Sequence, residues 1–243
     1  MSRPRLSVNV NKIALLRNSR GRNVPDLLQA IDVVVAAGAS GVTIHPRRDQ
    51  RHIRLDDIEP VARHVARHHP DVELNIECEH HPDLLERVLA VRPHQCTLVP
   101  VRPGEVTSDH GYLFPDEGPA LRPDVERLRA AGIRVSVFVD CEPALAAAAP
   151  ACGADRVELY TGPYAWAWGT PGHAAARAAV FATAQAAVDA GLEVNAGHDL
   201  DRHNLEGLRG LPGLQEVSIG HAVIVRALEV GLTRAVQELL AVL

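Results

Sequence analysis

A helix-to-strand junction recurs along this chain and constrains its fold more than any other feature. An alanine-rich segment ends at a glycine, and a short aliphatic run begins within a few residues, as in AAGASGVTI, AAGIRVSVF, ACGADRVEL and DAGLEVNAG. Glycine just beyond a helix end adopts the left-handed conformation that other residues resist. A strand that starts so soon afterwards completes the second half of a βαβ unit. The pattern therefore predicts an alternating α/β chain with a parallel sheet.

Following this alternation along the chain predicts eight strands. They are expected at Leu6–Val10, Gly41–His45, Glu73–Glu77, Gln95–Val99, Arg134–Val139, Arg156–Tyr160, Glu193–Ala196 and Glu216–Ile219. Helical segments are expected at Pro25–Ala37, Asp56–His68, Pro82–Val91, Pro123–Ala131, Glu142–Ala151, Gly172–Ala190, Asn204–Gly210, His221–Leu228 and Leu232–Leu243.

Eight βα units in 243 residues are typical of one closed (β/α)8 TIM barrel with extra helices. An open doubly wound sheet usually has fewer strands and a glycine-rich first turn, whereas the first turn here, NVNKIALLRN, has no GxGxxG. No shift in composition marks a linker. Residues 1–243 are therefore predicted to form a single α/β barrel domain, with its functional residues at the C-terminal ends of the strands.

Charge and hydropathy argue against several classes of protein. The formal net charge of -5 gives no support to nucleic-acid binding, which calls for a basic face. No stretch approaches the ~18 apolar residues of a membrane span, and the N-terminus lacks the apolar core of a secretory signal. We therefore expect a cytoplasmic protein without a membrane partner. Aromatic residues make up only 3% of the chain, so the core is predicted to consist of Val, Leu, Ile and Ala.

The four cysteines, Cys78, Cys96, Cys141 and Cys152, are far apart and form no CxxC pair. This spacing suggests neither a zinc site nor a disulfide framework. We predict reduced thiols in the core.

The stretch GVTIHPRRDQRHI, residues 41–53, runs from a strand directly into a polar cluster. Its β-branched start suits a buried strand, but the residues that follow do not suit a core. They are His45, Arg47, Arg48, Asp49, Arg51 and His52. His45 is expected to transfer protons and Arg47 with His52 to bind an anion, while Arg48 and Arg51 are expected to be solvated.

Polar residues also follow the other predicted strands. They are Asn9, Asn11 and Lys12 after the first, Glu77 in the third, Thr107 beyond the fourth, Glu158 in the sixth, His198 after the seventh, and Gly220 with His221 after the eighth. Each would be costly to bury without a partner, so their shared position predicts a ligand-binding cavity. Taken singly, His45 could cap a strand, and Glu77 or Glu158 could pair with an arginine.

Other groups are assigned structural roles: His64, His68 and His69 on a polar helix, Glu79, His80 and His81 at a strand end, and Trp166 with Trp168 after the sixth strand. The helix histidines are expected to be solvated. The adjacent Glu and His residues are not expected to converge on a metal. The tryptophans are expected to form a packed lid or a subunit contact, and the long loop at 99–121 a mobile lid.

Seven strings carry a resemblance to a known family; they are VNVNKIALLRNSRG, GVTIHPRRDQRHI, LNIE, LVPVRPGEVTSDHG, VELYTG, VNAGHDL and SIGHAVI. In this order they span nearly the whole chain and resemble the pyridoxine 5′-phosphate synthase family of vitamin B6 biosynthesis. The resemblance implies a barrel that condenses 3-amino-2-oxopropyl phosphate with 1-deoxy-D-xylulose 5-phosphate. The products are pyridoxine 5′-phosphate, inorganic phosphate and water. It also implies a homo-octamer built from dimers.

The resemblance implies roles for residues that match the family's motifs. His45 and Glu77 resemble its general bases, His198 its general acid, and Glu158 the residue that stabilises the transition state. The residues that resemble the binding site of the amino-ketone phosphate are Asn9, Arg20, Asp199, Gly220 and His221. Those that resemble the sugar-phosphate contacts are Asn11, Lys12, Arg47, His52 and Thr107.

The chain departs from the family pattern at two places. Some members have Asp-His where this chain has Asn11 and Lys12, and Gly where it has Asp199. Asparagine keeps a hydrogen-bonding side chain and lysine can contact a phosphate or hydroxyl, so both changes are compatible with binding.

The implied chemistry agrees with the inventory of strand-end residues. Joining an amine to a ketone, expelling water and phosphate and forming an aromatic ring requires several proton transfers but no redox step. Acids and bases with tuned pKa values are needed, together with two phosphate sites. We therefore predict catalysis on two small phosphorylated substrates with no metal and no cofactor.

Two other functions fit parts of the pattern. A Schiff-base lyase of the aldolase kind would use Lys12, the only lysine among 25 basic residues, as its nucleophile. The second is a non-catalytic barrel that binds a phosphorylated ligand. Such a protein would need only the anion site, and the acidic and basic residues at the strand ends exceed what holding a phosphate requires.

Overall fold

The eight strands of this chain close into a parallel barrel. A computed structural model describes residues 3–102, 104–105, 107–114 and 116–243. The strands follow one another around the barrel in chain order, and the last strand pairs with the first. The predicted (β/α)8 barrel with extra helices is confirmed.

Each predicted strand agrees with the structure to within two residues at either end. The strands are β1 Arg5–Asn9, β2 Gly41–Ile44, β3 Glu73–Cys78, β4 Gln95–Leu98, β5 Arg134–Val139, β6 Arg156–Tyr160, β7 Glu193–Gly197 and β8 Leu214–Ile219. The helices are α1 Asn11–Asn18, α2 Leu27–Ala36, α3 Ile58–His68, α4 Pro82–Val91, α5 Gly118–Ala130, α6 Pro143–Ala148, α7 Gly162–Ala167, α8 His173–Asp189, α9 His221–Val230 and α10 Leu232–Val242. Within the described residues, none of them combines the length and apolar character that crossing a bilayer requires.

The recurring helix-to-strand junction has the backbone that the sequence predicts. The glycines of its four examples, Gly38, Gly132, Gly153 and Gly191, have φ angles of 109°, 81°, 86° and 83°. A side chain at such an angle would be strained. The glycines thus let each strand start directly after a helix or 3-10 turn.

The hydrophobic core lies between the outer face of the barrel and the surrounding helices. In α3, for example, the buried residues Ile58, Val61 and Val65 form one stripe at helical spacing. The core is mainly aliphatic, as predicted, with Tyr112 and Phe114 among its few aromatic members.

The inside of the barrel is polar, which the sequence analysis did not predict. The buried inward positions carry Ser7, Thr43, Glu73, Asn75, Gln95, Thr97, Ser136, Arg156, Glu158, Asn195, Glu216 and Ser218. Barrels of this type are usually filled by branched apolar side chains. Hydrogen bonds link some of these side chains, for instance between the hydroxyls of Ser7 and Thr43, 2.7 Å apart, and from Thr97 Oγ1 to Asn75 Oδ1 at 3.1 Å.

Glu73, buried at the N-terminal end of the barrel, is paired with arginines. Glu73 contacts Arg5 at 2.7 Å, Arg134 at 2.8 Å and Arg156 at 3.8 Å. Removing one partner of a buried ion pair leaves the other charge uncompensated. This cluster therefore fixes the floor of the barrel below the strand ends.

Three helical segments differ from their predicted positions, and a fourth, predicted as a helix at Asn204–Gly210, forms only a 3-10 turn at Leu205–Leu208. Residues 11–18 form α1, which was read as a turn, and α7 occupies the stretch that was read as a tryptophan loop. Helix α5 begins five residues before Pro123, its predicted start. The reason is a buried stripe of Leu121, Val125 and Leu128, which begins before the proline.

The cysteines are free thiols, as predicted. Cys78, Cys96 and Cys152 are buried, and Cys141 is partly buried. The sulfur atoms of Cys78 and Cys96 lie 3.7 Å apart on neighbouring strands.

Candidate active site

A cavity of about 500 Å³ opens at the C-terminal ends of the strands. Predicted site residues from both sides of the barrel line it; they are Asn9, Asn11, Lys12, His45, Arg47, His52, Glu77, Thr107, Glu158, His198, Asp199, Gly220 and His221. Arg20 is the exception, since it is exposed in the turn after α1. The fold thus brings together residues as far apart in the sequence as Asn9 and His221.

Some lining residues were missed by the sequence analysis; they are Leu15, Arg51, Val99, Ser108, Phe138, Trp166 and Ser218. Phe138 and Ser218 occupy inward positions near the ends of β5 and β8, where strand alternation could have identified them. Arg51 had been assigned to the solvated rim, and that assignment is wrong. Its side chain lines the cavity and donates from Nη1 to the carbonyl of Glu105 at 3.0 Å.

His45 and Glu77 form a buried pair at the ends of β2 and β3. His45 Nδ1 lies 3.3 Å from a carboxylate oxygen of Glu77. The backbone N–H of His45 donates to Asn11 Oδ1 at 2.9 Å, so Asn11 positions the histidine from α1. His45 Nε2 is buried without a hydrogen-bond partner among the described residues. This nitrogen is therefore the atom of the pair that a bound substrate can use.

Burial sets the protonation states of two histidines in the cavity. It lowers the pKa of His45 to about 3, and the nearby Arg47 lowers it further in the same direction. Burial also lowers the pKa of His52 to about 3, with contributions from His45, Arg47 and Lys12. Both imidazoles are thus neutral at pH 7. With a pKa of about 3, His45 is a weak base by itself, and the Glu77 carboxylate at 3.3 Å is the group that can stabilise its imidazolium when it accepts a proton.

Glu77 and Glu158 are two buried carboxyl groups whose charges interact. Burial raises the pKa of Glu77, although His198 and a hydrogen bond with Asn9 oppose the shift. Burial and then the charge of Glu77 raise the pKa of Glu158, which a hydrogen bond with Thr97 opposes. Two such groups resist ionising together, so they can hold a proton at neutral pH.

His198 is fixed by a polar chain at the end of β7. Its Nε2 lies 2.9 Å from Thr107 Oγ1, and its Nδ1 lies 3.1 Å from Asp199 Oδ2, though poorly aligned for a hydrogen bond. Trp166 Nε1 donates to the same oxygen of Asp199 at 2.7 Å. The contact with His198 is the main cause that lowers the pKa of Asp199. The carboxylate is thus an anion that orients the imidazole.

The backbone that carries this histidine is in an unusual conformation. His198 and Asp199 have φ angles of 84° and 59°, in the left-handed region that most residues avoid. Thr161 Oγ1 donates to the carbonyls of Gly197 and His198, both at 2.7 Å. These contacts stabilise a turn that points the imidazole into the cavity.

Gly197 allows Glu158 to lie against β7, because a Cβ at this position would overlap the carboxyl oxygen of Glu158. We predict that Gly197→Ala lowers kcat about 100-fold, since displacing a site group by about 1 Å can cost that much. Steady-state kinetics would measure the loss. Gly172→Ala is the control, because its new Cβ would meet nothing closer than Thr170 Oγ1 at 3.6 Å. Equal activity of both variants would contradict the prediction.

One end of the cavity attracts anions. Arg47, only 6% exposed, lies there with Lys12, Arg51 and His52. In the structure Arg47 Nη1 lies 3.5 Å from Glu105 of the loop after β4. The loop thereby supplies a carboxylate to the arginine that is expected to bind phosphate.

A second anion position lies at the start of α9. Gly220 is the residue before the helix, and it packs so closely on Asn9 that a Cβ would lie 3.1 Å from the Cβ of Asn9. Free N–H groups and the helix dipole at such a start favour a phosphate. His221 lines the cavity beside it.

Potential metal ligands converge at two places within the described residues, and neither is the cavity wall. They are Glu105, Asp109 and His110 on the loop after β4, and Asp32, His64 and His69 outside the barrel. Glu79, His80 and His81 do not converge, as predicted, because Glu79 pairs with Arg48 and His80 with Asp124. The predicted solvation of the α3 histidines holds for His68 but is wrong for His64 and His69, which are partly buried.

Residues 6–243 match the family model described as pyridoxal phosphate biosynthesis protein PdxJ. The chain belongs to the PdxJ family. A relative from Albidiferax ferrireducens named pyridoxine 5'-phosphate synthase is 48% identical over 96% of this chain and 94% of its own length. A relative of the same name from Xanthomonas campestris pv. campestris is 49% identical, with 98% and 95% of the two chains covered. This PdxJ chain therefore aligns with its relatives over nearly their full length.

Solved structures share the fold of this PdxJ chain at low identity. Phosphoribosyl anthranilate isomerase from Thermus thermophilus superposes with a TM-score of 0.59 at 15% identity, covering 98% of this chain and 97% of that one. HMG-CoA lyase from Brucella melitensis gives a TM-score of 0.63 at 15% identity, with the same coverage. These likenesses show the barrel alone.

Proposed function

We propose that this chain catalyses the condensation of 3-amino-2-oxopropyl phosphate with 1-deoxy-D-xylulose 5-phosphate to pyridoxine 5′-phosphate, phosphate and water. The observation that carries the proposal is a cavity in which two carboxyl groups and two imidazoles suited to proton transfer lie between two anion positions. Membership of the PdxJ family and the names of the relatives support it.

His45 and Glu77 are proposed as the bases. With Nδ1–H directed at the Glu77 carboxylate, His45 presents Nε2 to the substrate as an acceptor. A proton taken up at Nε2 makes the ring an imidazolium, and its other proton can pass to the carboxylate of Glu77. The raised pKa of Glu77 favours this transfer, since a base works best when its pKa lies near the working pH.

His198 is proposed as the general acid, and Glu158 as the group that stabilises developing charge. Asp199 holds the Nδ1 side of His198, which leaves Nε2 to donate where Thr107 now contacts it. The raised pKa of Glu158 favours its protonated form, which can donate a hydrogen bond to an oxygen that gains charge.

The two phosphate groups are proposed to bind at opposite ends of the cavity. One contacts Arg47 and His52, with Lys12 and Arg51 beside them, and the other meets the start of α9 at Gly220 and His221. Anchoring both substrates orients the amine of one toward the ketone of the other, which lowers the entropic barrier to condensation.

The test is to mix both substrates with purified protein. We expect pyridoxine 5′-phosphate, identified by absorbance and mass, in equal amount to released inorganic phosphate. Absence of product with correctly folded protein would overturn the proposal. Borohydride treatment with each ketone substrate tests the aldolase alternative, and the mass of the peptide containing Lys12 is expected to stay unchanged.

The assembly and location of the protein remain predictions. The homo-octamer is proposed from the family resemblance, and large apolar side chains exposed on the monomer, among them Leu16 at 54%, Trp166 at 61% and Leu228 at 82%, are candidate subunit contacts. Such residues are typical of contacts between subunits. Light scattering after size-exclusion chromatography would measure the mass, and we propose a cytoplasmic location.

A further inference from the structure

A cluster of metal-binding side chains lies on two neighbouring outer helices, outside the cavity. Asp32 belongs to α2, His64 belongs to α3, and His69 follows the last residue of α3. Nε2 of His64 and Nε2 of His69 both lie 2.6 Å from Asp32 Oδ1. Three ligand atoms from two helices thus meet at one point.

The cluster is sheltered but accessible to solvent. The side chains of His64 and His69 are only 16% and 18% exposed, while that of Asp32 is 49% exposed. His68 places a further imidazole next to the cluster, with its ring centroid 4.8 Å from that of His64. The two imidazoles are thus held in place, while one side of the carboxylate is open to an entering ion.

We propose that Asp32, His64 and His69 bind a divalent transition metal such as Zn²⁺, with water completing the coordination. Imidazole nitrogen with one carboxylate oxygen is a donor set that suits zinc and its neighbours, whereas Mg²⁺ and Ca²⁺ prefer oxygen alone. The three ligand atoms lie within 4.8 Å of one another. Small side-chain rotations bring them to the ~2.0–2.2 Å that zinc requires.

The loop group of Glu105, Asp109 and His110 is a weaker candidate. Arg47 lies 3.5 Å from Glu105, and Arg51 donates to its backbone. Positive charge so close opposes a divalent cation. Within the described residues, the Asp32 carboxylate pairs with its two histidines and with no arginine or lysine.

A metal at this position connects α2 to α3. Because the ligands converge only in the folded chain, binding stabilises the native state in proportion to the logarithm of metal concentration. The proposed site is therefore structural, and it is independent of the reaction in the barrel.

The test uses protein without a histidine tag, freed of metal by a chelator and titrated with Zn²⁺ by calorimetry. We expect binding of one ion that the double variant His64→Gln, His69→Gln weakens at least tenfold. Asp32→Asn, which keeps the shape of the side chain, is expected to weaken it as well. Co²⁺ is expected to give visible absorption bands in the parent protein that are lost in both variants.

His80→Gln is the matched control. It also removes a histidine paired with an aspartate, Asp124 at 2.8 Å, but no second imidazole contacts that pair in the part of the chain that the structure describes. Zinc affinity should be unchanged in this variant. Circular dichroism establishes that each variant is folded. The proposal is overturned if the parent protein binds no Zn²⁺, or if folded Asp32→Asn and the double variant bind it as tightly as the parent.

Discussion

Glu77→Gln is expected to lower kcat by about 10²–10⁴-fold while KM stays within a few-fold of the parent value, the range that loss of one general base typically causes. The substitution keeps the shape of the side chain 3.3 Å from His45 Nδ1 but removes its ability to accept a proton. Substrate contacts at the anion positions are untouched. Steady-state kinetics with both substrates, measured on protein with a parent-like circular dichroism spectrum, gives the two constants.

The control for this substitution is Glu86→Gln, on an exposed carboxylate that pairs with Arg127 on the outer surface. It should leave both constants unchanged. If Glu77→Gln retains full turnover, Glu77 is not a base in the reaction.

The pH profile offers an independent view of Glu77. A base must be deprotonated to act, so activity falls as the pH drops through its pKa. Because burial raises the pKa of Glu77, the acidic side of the profile should lie closer to neutral than an ordinary glutamate would place it. The pH at which activity falls on the acidic side should change in Glu77→Gln. If it does not change, a group other than Glu77 causes the fall in activity.

His198→Asn is expected to cause a loss of similar size, about 10²–10⁴-fold in kcat, because asparagine cannot donate a proton as an acid. Its amide ends near the position of Nδ1, so it can keep a contact with Asp199 although it no longer reaches Thr107. Binding of the unreacted substrates, measured by calorimetry, should be retained. Loss of binding together with turnover would instead indicate a role in holding substrate.

Two further variants separate acid catalysis from positioning. Asp199→Asn keeps an acceptor for Trp166 but removes the negative charge beside His198, so an intermediate loss of kcat is expected. His203→Asn, on an exposed residue five positions further along the chain, is the control and should remain fully active. Parent-like turnover in His198→Asn would remove this residue from the proposed mechanism.

The barrel could be predicted from sequence because its repeating unit is local. A glycine after a helix and an aliphatic run after the glycine are adjacent in the chain, so this junction predicts β2, β5, β6 and β7, and short aliphatic runs between helical segments predict the other four strands. Most residues of the cavity wall could be predicted as well, because the C-terminal ends of parallel strands in a barrel lie together. This is why Glu77 and His198, which are distant in sequence, were both assigned to one site.

Contacts between distant elements were not predictable in the same way. Nothing local to Asp32 indicates that it meets His64 and His69, since the meeting depends on how two helices pack. The polar interior did have a signal: β3 reads ELNIEC, in which every second residue is polar. In a closed barrel that alternation directs the polar side chains to the inside and the apolar ones to the surrounding helices.

The contact between Arg47 and Glu105 bears on how a phosphate would bind to this arginine. The guanidinium already has a carboxylate as its counterion, supplied by the chain itself. In the proposed reaction, a substrate phosphate that binds Arg47 would replace Glu105 as the counterion of the guanidinium, which lowers the net affinity for the phosphate. Because the loop that holds Glu105 also carries Thr107, which contacts His198 Nε2 at 2.9 Å, the proposed exchange would link the anion position at Arg47 to the proposed acid through a single loop.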